Sequence, residues 1–541
     1  MTEQVLPTRD EVVLPKPVPP RHPFTPTSED GLLAVFVFAL GFLFWHWVFF
    51  TWQGLQVTLF TALFGTLSVL YFKSKGIPMS RESYFWLAML QLTGLSFALW
   101  RNEGLAGWRA LFLFCFAVYW VLATTKMTLL GKTSDWLPLD FLNGLLGVAL
   151  RHFGSHYKSL FALRQNKILF MAKAWPILLG AVLSIMLLSL VLPLLLTADS
   201  GDFTILVGDF AAAWRNLMWQ NEELTIKLIL TIPTASYLFG LIAGSVHEAK
   251  GQGNRLSAAK SSLATLRILP LPTVLTVMGM LTTVYLVFIA GQLSYFFSSF
   301  VGELPSHYLT YADFARRGFF ELCAIAVINL AVLTIGNLSS RTLRSRSFAL
   351  RLLNILLAVL TLLLIATAFS KMMLYVDAFG LTMWRLLPLI FMLLLSVICC
   401  AIIALQKWQF SIMRLTAIVG ALAFSLLTLV NLDGYVANYN AQRYLEGTLS
   451  SFDIVTVLRA GPAGVEAALL VYSETAEKDL RHNLAAYLNQ AHRNALSTSG
   501  RAFDTLENAA LRRILAQGGW DKTIEWGIGS DKPLAPRTRE D

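Results

Sequence analysis

Long apolar runs recur from residue 31 to residue 430, and they constrain this fold more than any motif does. A hydrocarbon layer about 30 Å thick takes about 20 apolar residues of helix to cross. Only a helix or a closed barrel satisfies its own backbone polar groups there. Eleven segments have that length: 31–50, 53–72, 84–100, 106–125, 174–197, 225–245, 271–293, 319–338, 348–369, 383–405 and 411–430. The expected fold is all-α, a polytopic transmembrane helical bundle of about eleven spans over residues 31–430. Charged residues make up 14% of the chain, where an ordinary soluble protein has about 25%. So few charges cannot clothe a water-facing surface, and the lipid bilayer is the first partner the chain requires.

The basic residues orient the bundle. From Leu432 onward the chain carries 12 basic and 14 acidic residues, against 31 and 19 before it. The basic excess falls in alternate loops: Lys73, Lys75 and Arg81; Lys126 through Lys173; Lys250 through Arg267; Arg341, Arg344 and Arg346; Lys407 and Arg414. Intervening loops are poorer, so the N-terminus is expected in the cytoplasm and the C-terminal tail outside. This distribution speaks for membrane orientation rather than nucleic-acid binding. Residues 1–30 are proline-rich and lack a signal-peptide pattern, which suggests a disordered cytoplasmic arm. The four cysteines lie in apolar stretches without a C-x-x-C spacing, so redox and zinc chemistry are not indicated. Residues 135–160 are too interrupted to span and suggest an interfacial helix, with His152 and His156 in a headgroup-level basic patch.

Span centres carry few ionisable groups in this reading. Lys227, Arg351, Arg385 and Arg414 sit near span ends, where long side chains reach the headgroups. That weighs against a proton-coupled transporter, which needs a carboxylate at depth. Gly240 and Gly244 form a small-x-x-x-small pair suited to close helix packing.

The one locally unusual stretch follows the last span. Asn431, Asp433, Gly434, Tyr435, Asn438, Tyr439, Asn440, Arg443 and Tyr444 crowd into one short run. Asn, Asp and Gly are poor interior helix formers, so the composition needs a reason. On a helix continuing from the last span, these residues fall on two polar faces. Three roles fit: docking the tail onto the membrane domain, an aromatic belt at the headgroups, or a ligand site. Beyond the run, residues 431–525 predict a tail of short amphipathic helices around 465–471, 480–491 and 503–514, and residues 526–541 a disordered end.

The pattern Asn431-x-Asp433-x-x-x-Ala437-x-Tyr439-Asn440-x-x-Arg443-Tyr444 resembles the signature of a family of bacterial multi-pass membrane proteins of unknown function. Asp453 and Leu458 fit the block that follows in that family, but Ala460-Gly461-Pro462 lacks its second aspartate. The resemblance implies many spans, a helical C-terminal tail and at most a part in envelope sensing or regulation. It carries no activity and no cofactor.

Three functions are compatible with these readings. The first is a non-enzymatic sensing, regulatory or scaffold component of the cell envelope, with a membrane or envelope protein as partner. The second is a transporter or flippase for a lipid-like or neutral solute. The third is a lipid-linked transferase using outer-loop groups, for which Glu303, Asp377 and Arg385 are the candidates. No catalytic motif and no metal-ligand spacing stands out.

Overall fold

The computed structural model describes residues 24–49, 54–162, 184, 222–249, 269–291, 311–339, 347–408, 410–497 and 505–523. The chain is helical. Its membrane part begins with α1 (Ser28–Leu43, continued by a π turn to Phe49), α2 (Leu55–Ser74), α3 (Arg81–Leu99) and α4 (Ala106–Thr125). Three short pieces follow: α5 (Leu137–Leu142), α6 (Ala149–Arg151) and α7 (Ser155–Ala162). Next come α8 (Glu222–Ala249), α9 (Leu271–Gly291), α10 (Tyr311–Ser339), α11 (Phe348–Phe379), α12 (Met383–Leu405) and α13 (Ile412–Thr428). The last group is α14 (Leu432–Leu445), α15 (Ile454–Ala460), α16 (Val465–Glu474), α17 (Lys478–Ser497) and α18 (Leu506–Gln517). Serines set several starts: Ser80, Ser347 and Ser411 each accept a backbone N–H from three residues on, supplying a partner that the first turn lacks.

Among the described residues, eight helical segments are long and apolar enough to cross a membrane, or nine if the bent pair α13–α14 counts as one. This is the architecture of a multi-pass membrane protein. The bounds of α4 and α12 coincide with two expected spans. The expected span 174–197 lies outside the described residues. Helix α3 forms where expected, but Arg81, Glu82 and Gln91 leave it too polar to qualify by hydropathy. Helix α10 is strongly apolar only over Glu321–Gly336. Helix α11 runs ten residues beyond the expected 369, because no breaker intervenes before Gly380 (φ +77°). One qualifying segment, Ile454–Glu474, lies beyond the last expected span. It is interrupted at Gly461 (φ +56°), and Val457, Val465, Ala468 and Val471 are already buried by protein. Lipid is not needed to cover them.

Contacts define two opposite faces. On one, Lys75 at the end of α2 pairs with Asp30 at the start of α1 (2.8 Å). Glu82 at the start of α3 pairs with Arg414 at the start of α13 (2.7 Å), and Asp135 accepts from Ser411 (2.7 Å). This basic face carries Lys73, Lys75, Arg81, Lys132 and Arg414. The opposite face gathers the ends of α3, α11 and α13, and with them α14 and the helices after it.

Three hydrophobic cores fill the molecule. The first joins α1–α4, α6–α8 and Ala421 of α13. The second joins α9–α12 and takes in Val436 of α14. The third lies among α14–α18. Helix α14 therefore belongs to two cores at once.

Sequence reading undercounted the buried polar groups. Arg109 is fully buried in α4, and Lys227 and Lys371 are nearly so. Lys227 does not reach for headgroups; it meets Nδ1 of His46 at 3.2 Å. His156 is buried too, with Nε2 on the Ala34 carbonyl (3.0 Å), which corrects its placement in a headgroup-level basic patch. His152 instead meets Glu248 (3.2 Å).

Leu139, Leu142, Leu146 and Leu150 form an exposed apolar stripe along residues 137–151, while the other side packs on α8. That approach depends on Gly240, where a Cβ would collide with the Ala149 carbonyl, and on Gly244 beside the His152 ring. Since the obstacle at Gly240 is backbone, it cannot turn aside. Gly240→Ala is expected to cost about 1–3 kcal/mol. A lowered melting temperature in detergent, with Gly279→Ala (open space around its Cβ) unchanged, checks this.

Candidate functional site

The polar run after α13 does not continue that helix. The chain bends by 64° between α13 and α14. Asn431 takes a non-helical conformation and its Oδ1 accepts the Gly434 N–H (3.0 Å), so it is the N-cap of a new helix. Asp433 lies in the first turn, where a carboxylate suits the helix dipole. Residues costly in a helix interior are thus spent at a helix start.

A bend inside an apolar region frees carbonyls that need donors. The α3–α4 loop supplies them. Trp100 Nε1 donates to the Leu429 carbonyl (2.7 Å), and Asn102 Nδ2 donates to those of Val430 (3.0 Å) and Thr428 (3.3 Å). Asn102 adopts a left-handed backbone (φ +41°), which asparagine tolerates better than most residues. The backbone N–H groups of Glu103 and Gly104 face the Asp433 carboxylate and favour its charged form, while its Oδ2 is buried without a hydrogen-bond partner. The loop thus caps the bend.

Arg109 stands beneath this joint. Its guanidinium donates to the carbonyls of Ser96 (3.2 Å), Trp100 (2.9 Å) and Arg101, and lies 4.3 Å from the centre of the Phe97 ring. It is also the buried cation facing Asp433 and Glu507. Glu507 comes from α18, far along the chain. It accepts the Arg101 N–H (3.0 Å) and is within 3.4 Å of Asn431 Nδ2.

The remaining polar residues of α14 meet the α11–α12 turn and the third core. Asn440 Oδ1 accepts the Leu381 N–H (2.7 Å) while its Nδ2 donates to the Leu381 carbonyl (2.7 Å), all buried. Arg443 donates to the Val376 (3.2 Å) and Asp377 (3.0 Å) carbonyls at the end of α11, and its Nη1 lies 3.5 Å from the Asp377 carboxylate. Tyr444 lies with its ring tilted against that of Phe452 and meets Thr475 (3.4 Å). Tyr435 is exposed, Asn438 is half-buried, and Tyr439 packs at the edge of the second core.

The outer-loop candidates resolve differently. Asp377 sits in the last turn of α11 rather than in a loop. Arg385 donates to the carbonyls of Phe379 (2.9 Å) and Gly380 and stacks on Tyr375, so it caps α11. Glu303 lies outside the described residues. Among the described residues no three metal-ligating side chains come together. Sequence reading missed Arg109, Asn102, Trp100 and Glu507. Arg109 did leave a signal, a cation within a span; the others are ordinary loop and tail residues until the bend brings them together.

Burial pushes the Asp433 carboxyl up to about 6, with the neighbouring Glu103 carboxylate adding to it, and burial pushes Glu507 up as well. Both shifts are upward, so the docked state holds more protons than a free tail. Stability is then fullest below the ordinary carboxylate range and falls as pH rises through about 6. Tail docking is expected to gain about 1 kcal/mol between pH 7.5 and pH 5. Hydrogen exchange of α18 amides, corrected for its intrinsic pH dependence, measures this, and Asp433→Asn is expected to remove most of the gain.

A family model described as a domain of unknown function (DUF4153) matches residues 87–469, from within α3 through the junction into α16. No curated protein and no solved structure matches the chain.

Proposed function

The chain belongs to the DUF4153 family, and from that premise we propose that it is a non-enzymatic component of the cell membrane. Its helical tail is held against the outer ends of the spans to sense or to scaffold at the envelope. In this reading residues 1–30 form a cytoplasmic arm, residues 31–430 a bundle of about eleven spans, and residues 431–525 an extracytoplasmic helical module. The concentration of basic residues on the face opposite the tail supports that orientation. So does the meeting of the ends of α3, α11 and α13 on one face, since these are all odd-numbered spans of the sequence reading.

The observation that carries the proposal is where the junction's polar groups go. Asn431, Asn440 and Arg443 engage backbone partners within the protein, and of the junction's four polar groups only Asp433 keeps a buried oxygen, Oδ2, without a hydrogen bond. A ligand site would keep such groups for its ligand. The transferase reading is served less well: Asp377 and Arg443 do meet, but Arg443 and Arg385 spend their donors on the carbonyls that end α11. The transport reading rests on the chain Tyr285–Asn329–Thr361 in the second core (2.6 and 2.9 Å), whose members satisfy one another as packing contacts do.

Limited proteolysis of the tail in membranes tests the proposal. Asn440→Ala with Arg443→Ala is expected to raise the cleavage rate of the tail roughly tenfold, if about 1.4 kcal/mol of docking is lost. An unchanged rate in a folded double variant would remove the basis for docking.

A further inference from the structure

Helices α12 and α13 are consecutive, yet they serve different cores. Helix α12 gives Leu389, Met392, Leu395, Cys399 and Ile402 to the second core. Helix α13 leans on the first: Ser425 meets Thr93 (3.1 Å) and Phe424 packs on Phe112 (4.2 Å between ring centres). The two therefore diverge from their shared turn and leave a crevice of about 210 Å³ where the bundles join. Its walls are Phe391, Leu394 and Ile398 on one side and Leu415, Val419 and Gly420 on the other. A Cβ on Gly420 would meet nothing within 4 Å. Exposed Phe391 and Val397 mark the side on which it opens.

The chemistry changes at the end of the crevice nearest the turn. Lys407 is exposed there, 5.4 Å from the ring of Trp408, which is itself 60% exposed. Across the turn, Arg414 in the first turn of α13 is paired with Glu82. This turn lies on the basic face. Tryptophan and lysine together at a span end suit the headgroup layer, and a basic residue there favours anionic lipid. An apolar slot at membrane depth thus leads to a cationic, aromatic mouth.

We propose that this crevice holds one acyl chain of an anionic phospholipid, with its phosphate at Lys407 and Trp408. The chain fills the gap between α12 and α13, and the headgroup fixes which lipid stays. Occupancy would tie the two bundles together where α12 and α13 part.

The test uses the full chain in vesicles of equal parts phosphatidylglycerol and phosphatidylcholine, with a trace of either lipid carrying a photoreactive group on its acyl chain. Wild type is expected to crosslink at 391–401 and 415–420, with phosphatidylglycerol favoured. Gly420→Phe fills the slot and is expected to lower crosslinking there roughly tenfold for both lipids. Lys407→Glu is expected to remove the preference for phosphatidylglycerol, a change of roughly fivefold or more, while chain crosslinking persists. Thr416→Trp fills the slot nearer the turn and serves if Gly420→Phe fails to fold. Equal crosslinking of a folded filled variant and wild type would overturn the proposal. So would crosslinking without lipid preference in wild type, or a crosslink at these residues to a second copy of the chain in place of lipid.

Discussion

Replacing Arg109 with alanine is expected to cost about 3–5 kcal/mol, since it removes three hydrogen bonds made by a buried charged group, each contributing about 1.5–3 kcal/mol. That is enough to lose most of the folded protein. The guanidinium is fully buried and donates to three carbonyls, those of Ser96, Trp100 and Arg101, at the end of α3. Alanine would leave the Trp100 and Arg101 oxygens without this donor, while Ser96 keeps the Trp100 N–H, and would take the buried cation away from Asp433 and Glu507. Lysine is the informative control. It restores the charge but not the planar fork that reaches several acceptors, so Arg109→Lys is expected to recover part of the loss. The yield of monodisperse protein in detergent and its melting temperature report both.

Asn440→Ala is the second large effect, and it is local. The side chain closes two buried bonds with the Leu381 backbone. Deleting it strands one donor and one acceptor, at about 1–3 kcal/mol each. The Leu381 amide should then exchange faster with solvent, and α14 should loosen from the α11–α12 turn while the first core keeps its protection. Gly380 gives a second view of the same contact. It sits at φ +77° with the Asn440 side chain packed over it, so Gly380→Ala should disturb the pair from the other side. Protection of Leu381 unchanged in Asn440→Ala would mean that the pair does not hold the turn.

Hydropathy made the spans legible because lipid imposes a local demand, about 20 apolar residues in a row. Helices α4 and α12 are legible to the residue for that reason. The bend after α13 was not. Asn431 marks a helix start as well as it marks a polar patch, and what decides between them is whether the freed carbonyls find donors. Those donors, Trp100 and Asn102, lie more than 300 residues earlier in the chain. The same distance hid Glu507, whose role depends on α18 packing beside the α3–α4 loop. The helical spacing that puts the polar run on two faces of one continuing helix does not hold, because the chain bends by 64° there. The helix is new, Val436 faces the second core, and Ala437 and Ala441 face the third.

The proposed envelope role requires the tail to lie outside the cell. Single cysteines at two exposed positions, Ser473→Cys on α16 and Lys132→Cys on the basic face, read the sidedness directly. With a membrane-impermeant maleimide on intact cells, Ser473→Cys should label above the parent chain without permeabilisation. Lys132→Cys should label only after it. The reverse pattern would contradict the orientation and the envelope role built upon it.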